Sequence, residues 1–256
     1  DIVNLRYKSC SEMEGQDQAM AGAYVGLGII LIFTLGNLLD PSVRPLVMGA
    51  TFGIALTLVI IAGSELFTGH TMFLTLGVKA GTISHGQMWA ILPQTWLGNL
   101  VGSVFVALLY SWGGGSLLPV DTSIVHSVAL AKTTAPATVL FFKGALCNWL
   151  VCLAIWMAIR TEGAAKFLAI WWCLLAFIAS GYEHSVANMT LFALSWLGHH
   201  SEAYTLSGIG HNLLWVTLGN TLSGVVFMGL GYWYATPKSE RPAPAKINQP
   251  EAAANN

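Results

Sequence analysis

The sequence predicts an all-α membrane protein of six transmembrane helices, built as two inverted three-helix repeats with the second and fifth helices broken. Three observations lead there. The chain of 256 residues is 55% hydrophobic and only 9% charged, against about 25% charged in an ordinary soluble domain. Its charges gather near the two ends and in short connections, leaving long apolar stretches of membrane-spanning length. Two of those stretches are interrupted by polar motifs that resemble each other. The net charge of −1 makes no case for nucleic-acid binding.

Residues 1–18 form a polar N-terminal segment, 19–235 the membrane domain, and 236–256 a polar tail rich in Pro, Ala and Asn that is expected to be disordered. The first span runs from Ala19 to Leu39 and stops at Asp40-Pro41. Its Gly22 and Gly26, four residues apart, allow a neighbouring helix to approach closely. The second span starts near Leu46, stops at Gly63-Ser64-Glu65-Leu66-Phe67-Thr68-Gly69-His70 and resumes from Met72 to about Val78. Each piece falls short of the about 20 residues a span needs, so the two read as one broken helix. The third span covers Met88 to Trp112. Gly113-Gly114-Gly115 and a long connection through Asp121, His126 and Lys132 lead to the fourth, Ala137 to Ile159. The fifth, Lys166 to Leu197, is interrupted at Gly181-Tyr182-Glu183-His184-Ser185-Val186-Ala187-Asn188-Met189. His199, His200 and Glu202 follow in a loop, and the sixth span runs from Leu206 to Tyr234.

Six spans put both termini on one side. With the termini cytoplasmic, the inner segments hold Arg6, Lys8, Lys79, Arg160, Lys166, Lys238, Arg241 and Lys246, and the outer loops only Arg44 and Lys132. The excess of inner positive charge therefore places both termini in the cytoplasm. Cys10, Cys147, Cys152 and Cys173 read as free thiols, with no metal-ligand spacing and no disulfide framework.

The halves match. Leu97-Gly98-Asn99-Leu100 in the third span resembles Leu218-Gly219-Asn220-Thr221 in the sixth, and Gly63-Ser64-Glu65 resembles Gly181-Tyr182-Glu183. Both offsets are roughly 120 residues, and three spans per half turn the second half upside down relative to the first. Such repeats place a pathway near the bilayer midplane, between the two breaks.

Chemistry at that depth is restricted. A helix break strands backbone N–H and C=O groups, which must face protein or water. A free helix N-terminus carries partial positive charge and favours anions. His184 is the most informative residue there, because an intramembrane imidazole both accepts and donates a proton. Thr68 in the opposite break is a candidate hydroxyl partner for its ring. Asn188 offers amide donors to an anion or to broken-helix backbone. A carboxylate on the path would repel anions, so Glu65 and Glu183 are assigned structural roles at the breaks. Phe52, Leu56, Leu66, Phe67 and Phe177 are apolar and suit a constriction that excludes water. Lys132 suits attraction of anions at the outer mouth.

Together, Glu183-His184-Ser185-Val186-Ala187-Asn188-Met189, Gly63 through Thr68 and Leu97-Gly98-Asn99-Leu100 resemble the formate/nitrite transporter family over essentially all six spans. The resemblance implies an aquaporin-like six-helix protomer, a homopentamer with one pore per protomer, and a location in the bacterial inner membrane. It implies that His184 is the central selectivity residue, with Thr68 as its partner, and adds Lys132 and Asn148 to the pathway. It assigns constrictions to Phe52, Leu56, Leu66, Phe67, Val151 and Phe177. The function expected is passage of small monovalent anions, nitrite first, with protons shared through His184, and with no enzyme activity, cofactor or metal. A formate channel of the same family is the alternative. A haem-binding redox subunit is the reading from another class, but haem needs paired axial ligands at membrane depth and only His184 is clearly deep. The paired Asn-Pro-Ala breaks of water channels are absent.

Overall fold

The computed structural model describes residues 16–119 and 123–241. Among these residues the fold is all-helical. In chain order the helices are α1 (Gln16–Leu38), α2 (Arg44–Ala62), α3 (Phe67–Ala80), α4 (His85–Trp112), α5 (Ile124–Thr134), α6 (Ala137–Ala158), α7 (Gly163–Ala179), α8 (Ser185–Leu197) and α9 (Leu206–Leu222). From α9 the helix continues through a π-helical stretch, Ser223–Leu230, into α10 (Gly231–Ala235). Five stretches are long and apolar enough to cross a membrane: α1 from Asp17, α2, α4, α6, and the run Leu206–Ala235. This is a multi-pass helical membrane protein.

Helices occupy each of the predicted apolar segments, with three differences, and the two pieces of the fifth, α7 and α8, are each shorter than a span. The helix α2 begins at Arg44 and reaches 19 residues, so it meets the length of a span without its continuation. The first break is narrower than its polar composition indicates. It covers only the residues between Ala62 and Phe67, and Thr68, Gly69 and His70 already belong to α3. The long connection after α4 contains a helix, α5, which Ser123 caps by accepting from the Val125 N–H. Its buried Val125, His126, Ala129 and Thr133 lie along one face, a periodicity that a search for 20-residue spans passes over. The expectations for residues 1–15 and 242–256, and for Asp121 and Cys10, lie outside the described residues. The described start of the tail carries a short 3₁₀ turn at Lys238–Glu240. Cys147, Cys152 and Cys173 are free and buried.

Close helix contact organises the core. α1 packs on α4, α6 on α9, and α2 on α7. The short helices cross over: α8 packs on α1 and α4, while α3 packs on α6 and the π stretch. Each broken-helix end is thus enclosed by helices from the other half of the chain. Small residues set these distances. A Cβ on Gly22 would lie 1.9 Å from the Asn99 carbonyl oxygen, and one on Gly219 2.1 Å from the Phe141 carbonyl oxygen. The helices therefore touch backbone to backbone at both crossings. Both breaks open with a glycine of positive φ, 79° at Gly63 and 66° at Gly181, a conformation a side chain would strain.

A Gly22→Val substitution is expected to force α1 off α4 and to lower stability by about 2 kcal/mol. Thermal unfolding in detergent micelles, followed by circular dichroism, measures this as a lowered Tm.

Candidate functional site

The site is built from the unsatisfied backbone of the two breaks. At the first, Asn99 on α4 accepts from the Phe67 N–H (2.9 Å) through Oδ1. Its amide donates to the Gln18 carbonyl (2.7 Å) and the Glu65 carbonyl (2.9 Å). At the second, Asn220 on α9 accepts from the Ser185 N–H (3.0 Å). Its amide donates to the Gly144 carbonyl (2.8 Å) and the Glu183 carbonyl (3.1 Å). The remaining bonds repeat as well. Glu65 N–H donates to the Asp17 carbonyl and Glu183 N–H to the Lys143 carbonyl. Each asparagine thus satisfies a helix N-terminus and the strand of chain leading into it. Leu-Gly-Asn recurs in the sequence, and this is the job the repeated asparagine does.

The glutamate carboxylates face side chains. Glu183 is buried, accepting from Lys132 Nζ (2.7 Å) at one oxygen and from the Asn188 amide (2.7 Å) at the other. The second Asn188 amide bond goes to Asn212 Oδ1 (2.9 Å), whose own amide donates to the Lys132 carbonyl (2.9 Å). Both Asn188 amide donors are therefore used within the protein. Glu65 pairs with His70. Lys132 reaches the Glu183 carboxylate from α5, a helix read as a connection in the sequence.

His184 caps α8. Its Nδ1 accepts from the Ala187 N–H at 3.0 Å, and an amide N–H can only donate, so Nδ1 carries a lone pair. The ring proton then sits on Nε2, 3.1 Å from Thr68 Oγ1 on α3. The second break's histidine is in this way joined to the first break's threonine. A proton at Nδ1 would oppose the Ala187 N–H and put positive charge on a helix N-terminus. The arrangement holds a neutral imidazole that donates from Nε2.

Two spaces meet at this ring. On one side lies a cavity of ≈ 150 Å³ whose polar lining is Lys132, Tyr182, His184 and Asn188. On the other is a void of ≈ 10 Å³ walled by Phe52, Leu56, Leu66, Val151, Phe177 and neighbouring apolar groups. That void is at the limit of what one water needs. Phe177 bridges the two spaces: its ring meets Phe52 edge-on at 5.6 Å and stacks on His184 at 6.0 Å. Of the sequence-predicted residues, His184, Thr68, Lys132 and Asn188 come together with five of the six constriction residues. Phe67 stands apart, lining an apolar cavity between α4 and α9. Asn148 is fully buried behind Thr68, its amide on the Thr68 carbonyl (3.2 Å), Thr71 Oγ1 (3.2 Å) and the Asn220 carbonyl (2.7 Å). Sequence reasoning assigned no role to Asn99, Asn220, Asn212 or His70.

A buried, apolar-walled passage with a histidine between broken helices defines a channel-type transport protein. The chain belongs to the formate/nitrite transporter family, whose model matches residues 17–234. Among its relatives are the nitrite transporters NirC of Salmonella typhimurium, 98% identical over 93% of this chain and 88% of that protein, and of Escherichia coli, 92% identical over 92% and 88%. A solved "FNT family ion channel" superposes with a TM-score of 0.89 at 92% identity, covering 91% of this chain and 95% of that one. A pentameric formate channel with formate bound superposes at 0.76 and 25% identity, over 89% and 98%. These relatives are transporters and channels, and the chain is not an enzyme.

Asn99→Ala and Asn220→Ala are each expected to destabilise the fold by about 3 kcal/mol or more, because each strands two carbonyls and one N–H. Tm in detergent measures the loss, and the two variants should fall by similar amounts.

Proposed function

We propose that this chain conducts nitrite across the bacterial inner membrane, with the ion crossing the apolar constriction in near-neutral form. The observation that carries the reading is His184, held between a polar vestibule and a void of ≈ 10 Å³ with apolar walls. The very high identity to the NirC nitrite transporters favours nitrite over formate. A bare anion entering that void would shed its water with nothing to replace it, a cost of several kcal/mol. Lys132, paired with Glu183, provides positive charge at the vestibule without leaving either ion bare. His184 donates a hydrogen bond from Nε2 and can pass on a whole proton only after gaining one. The atom that gains it is Nδ1, which must first release the Ala187 N–H. That cap is worth about 1 kcal/mol. The proton gained at Nδ1 then goes to nitrite oxygen, neutral nitrous acid crosses, and Nδ1 returns to Ala187.

The pathway comprises His184, Thr68, Asn188, Asn148 and Lys132, with Phe52, Leu56, Leu66, Val151 and Phe177 as constrictions; Phe67, which lines a separate cavity, is left out of them. Asn148 and Asn188 act by fixing the breaks, as do Glu65 and Glu183. The architecture is six spans in two inverted repeats within residues 19–235, flanked by cytoplasmic 1–18 and 236–256. The matched bonds of Asn99 and Asn220 support the repeat. A homopentamer with one pore per protomer is supported by the pentameric formate channel that shares the fold.

Proteoliposomes loaded under a set pH difference test this. Nitrite uptake with no accompanying current, and with one proton moving per nitrite, is expected; uptake matched one-for-one by current would exclude the neutral-form crossing. His184→Ala should abolish the movement of one proton with each nitrite. Phe177→Ala should open the void and raise chloride leak by ~10-fold or more, equivalent to about 1.4 kcal/mol off the barrier.

A further inference from the structure

The structure holds a second imidazole at membrane depth, and its bonding is the reverse of that of His184. His70 on α3 is almost fully buried. Its Nδ1 lies 3.0 Å from Thr95 Oγ1 on α4. The single hydroxyl proton of Thr95 goes to the Ile91 carbonyl at 3.0 Å, which can only accept. The proton between His70 and Thr95 therefore belongs to His70 Nδ1. A neutral ring with its proton on Nδ1 would turn the Nε2 lone pair outward. Nε2 faces Glu65 Oε2 in direct contact. A lone pair against a carboxylate is repulsive unless a proton lies between them.

We infer that Glu65 and His70 bind one proton in common, making a proton site at the first break separate from His184. The pair is neutral overall, as imidazolium with carboxylate or as imidazole with carboxylic acid. The Glu65 side chain is 13% exposed, so water delivers and removes the proton. Other titratable side chains on the elements packed against α3 are His85 and Tyr110 on α4, Lys143, Cys147 and Cys152 on α6, and His211 on α9; Asp17 of α1 adjoins the first break through its carbonyl.

The second break shows what the site replaces. There Glu183 is compensated by Lys132 and by Asn188, which stands in its helix where His70 stands in α3. Compensation at Glu183 is thus a lysine, charged across the physiological range, and an amide, which does not titrate. Compensation at Glu65 includes an imidazole, the side chain that exchanges protons near neutrality. Alkaline water on the Glu65 face removes the shared proton to hydroxide. A carboxylate then sits against a lone pair at the first break, loosening the turn into α3, the helix whose Thr68 partners His184. Acid restores the pair. His70 is a positioning residue here, acting through Glu65 on the break.

Two measurements on the full-length protein test this. In protein labelled with ¹⁵N-histidine, the spectrum at about neutral pH should show His70 with Nδ1 protonated and Nε2 in a shared-proton bond, and His184 with a proton on Nε2 alone. His70→Asn and His70→Gln assign the signal by its loss. A His70 whose Nε2 is an ordinary free lone pair overturns the proposal. In proteoliposomes, wild-type nitrite flux should fall by ~5-fold or more as the pH on the Glu65 face rises from about 6 to about 9. His70→Asn, which copies the amide of the second break, should reduce that fall to less than ~2-fold and leave acid-side flux in place. An unchanged pH profile in His70→Asn overturns the proposal. The flux arm rests on the nitrite reading. Absence of nitrite flux in the wild type would sink that reading alone, since the spectroscopic arm needs no transport.

Discussion

Backbone left without partners in a medium without water is the constraint from which the rest of this structure follows. Two helices stop and restart inside the membrane domain, and each restart exposes N–H groups that lipid cannot satisfy. Asn99 and Asn220 resolve this from outside the broken helices, each with one accepting and two donating contacts. Their positions require α1 against α4 and α6 against α9 at backbone distance, so the small residues at those crossings serve the breaks. Close packing and pathway are one construction here.

The same constraint assigns the histidines. His184 takes over a capping duty for α8 and is thereby fixed as a neutral donor toward Thr68. His70 has no capping duty; its Nδ1 is turned to Thr95, which leaves Nε2 to Glu65. Two rings of identical chemistry differ at Nδ1, a bare acceptor in His184 and protonated in His70, because one backbone N–H competes for one of them. The carboxylates follow. Glu65 and Glu183 accept from side chains, because the asparagines have already taken the backbone work.

The spans were legible in the sequence because apolar runs of that length have few other uses, and the breaks were legible because polar groups at that depth are rare. Break width was not. Thr68-Gly69-His70 reads as loop by composition, yet it is the first turn of α3, where Asn99 rather than a local cap holds the N-terminus. The α5 helix escaped for a different reason: it is short, and the stripe that marks it is only four residues. His184 and Thr68 were found as a pair from position alone, but the nitrogen that faces Thr68 depends on the Ala187 N–H, a matter of local geometry. The pairing of Lys132 with Glu183 joins residues far apart in the chain, and no local pattern encodes it.

Asn148 has a mechanical meaning. Its amide joins the Thr68 carbonyl in one half of the chain to the Asn220 carbonyl in the other, and His184 ties onto Thr68 beside it. The halves are stitched together between the two breaks by buried bonds. Rocking one half against the other, as carriers with alternating access do, would tear that stitching at every cycle. A chain stitched in this way is braced against that motion, and the bonds that brace it are the same ones that hold the ring of His184 in place.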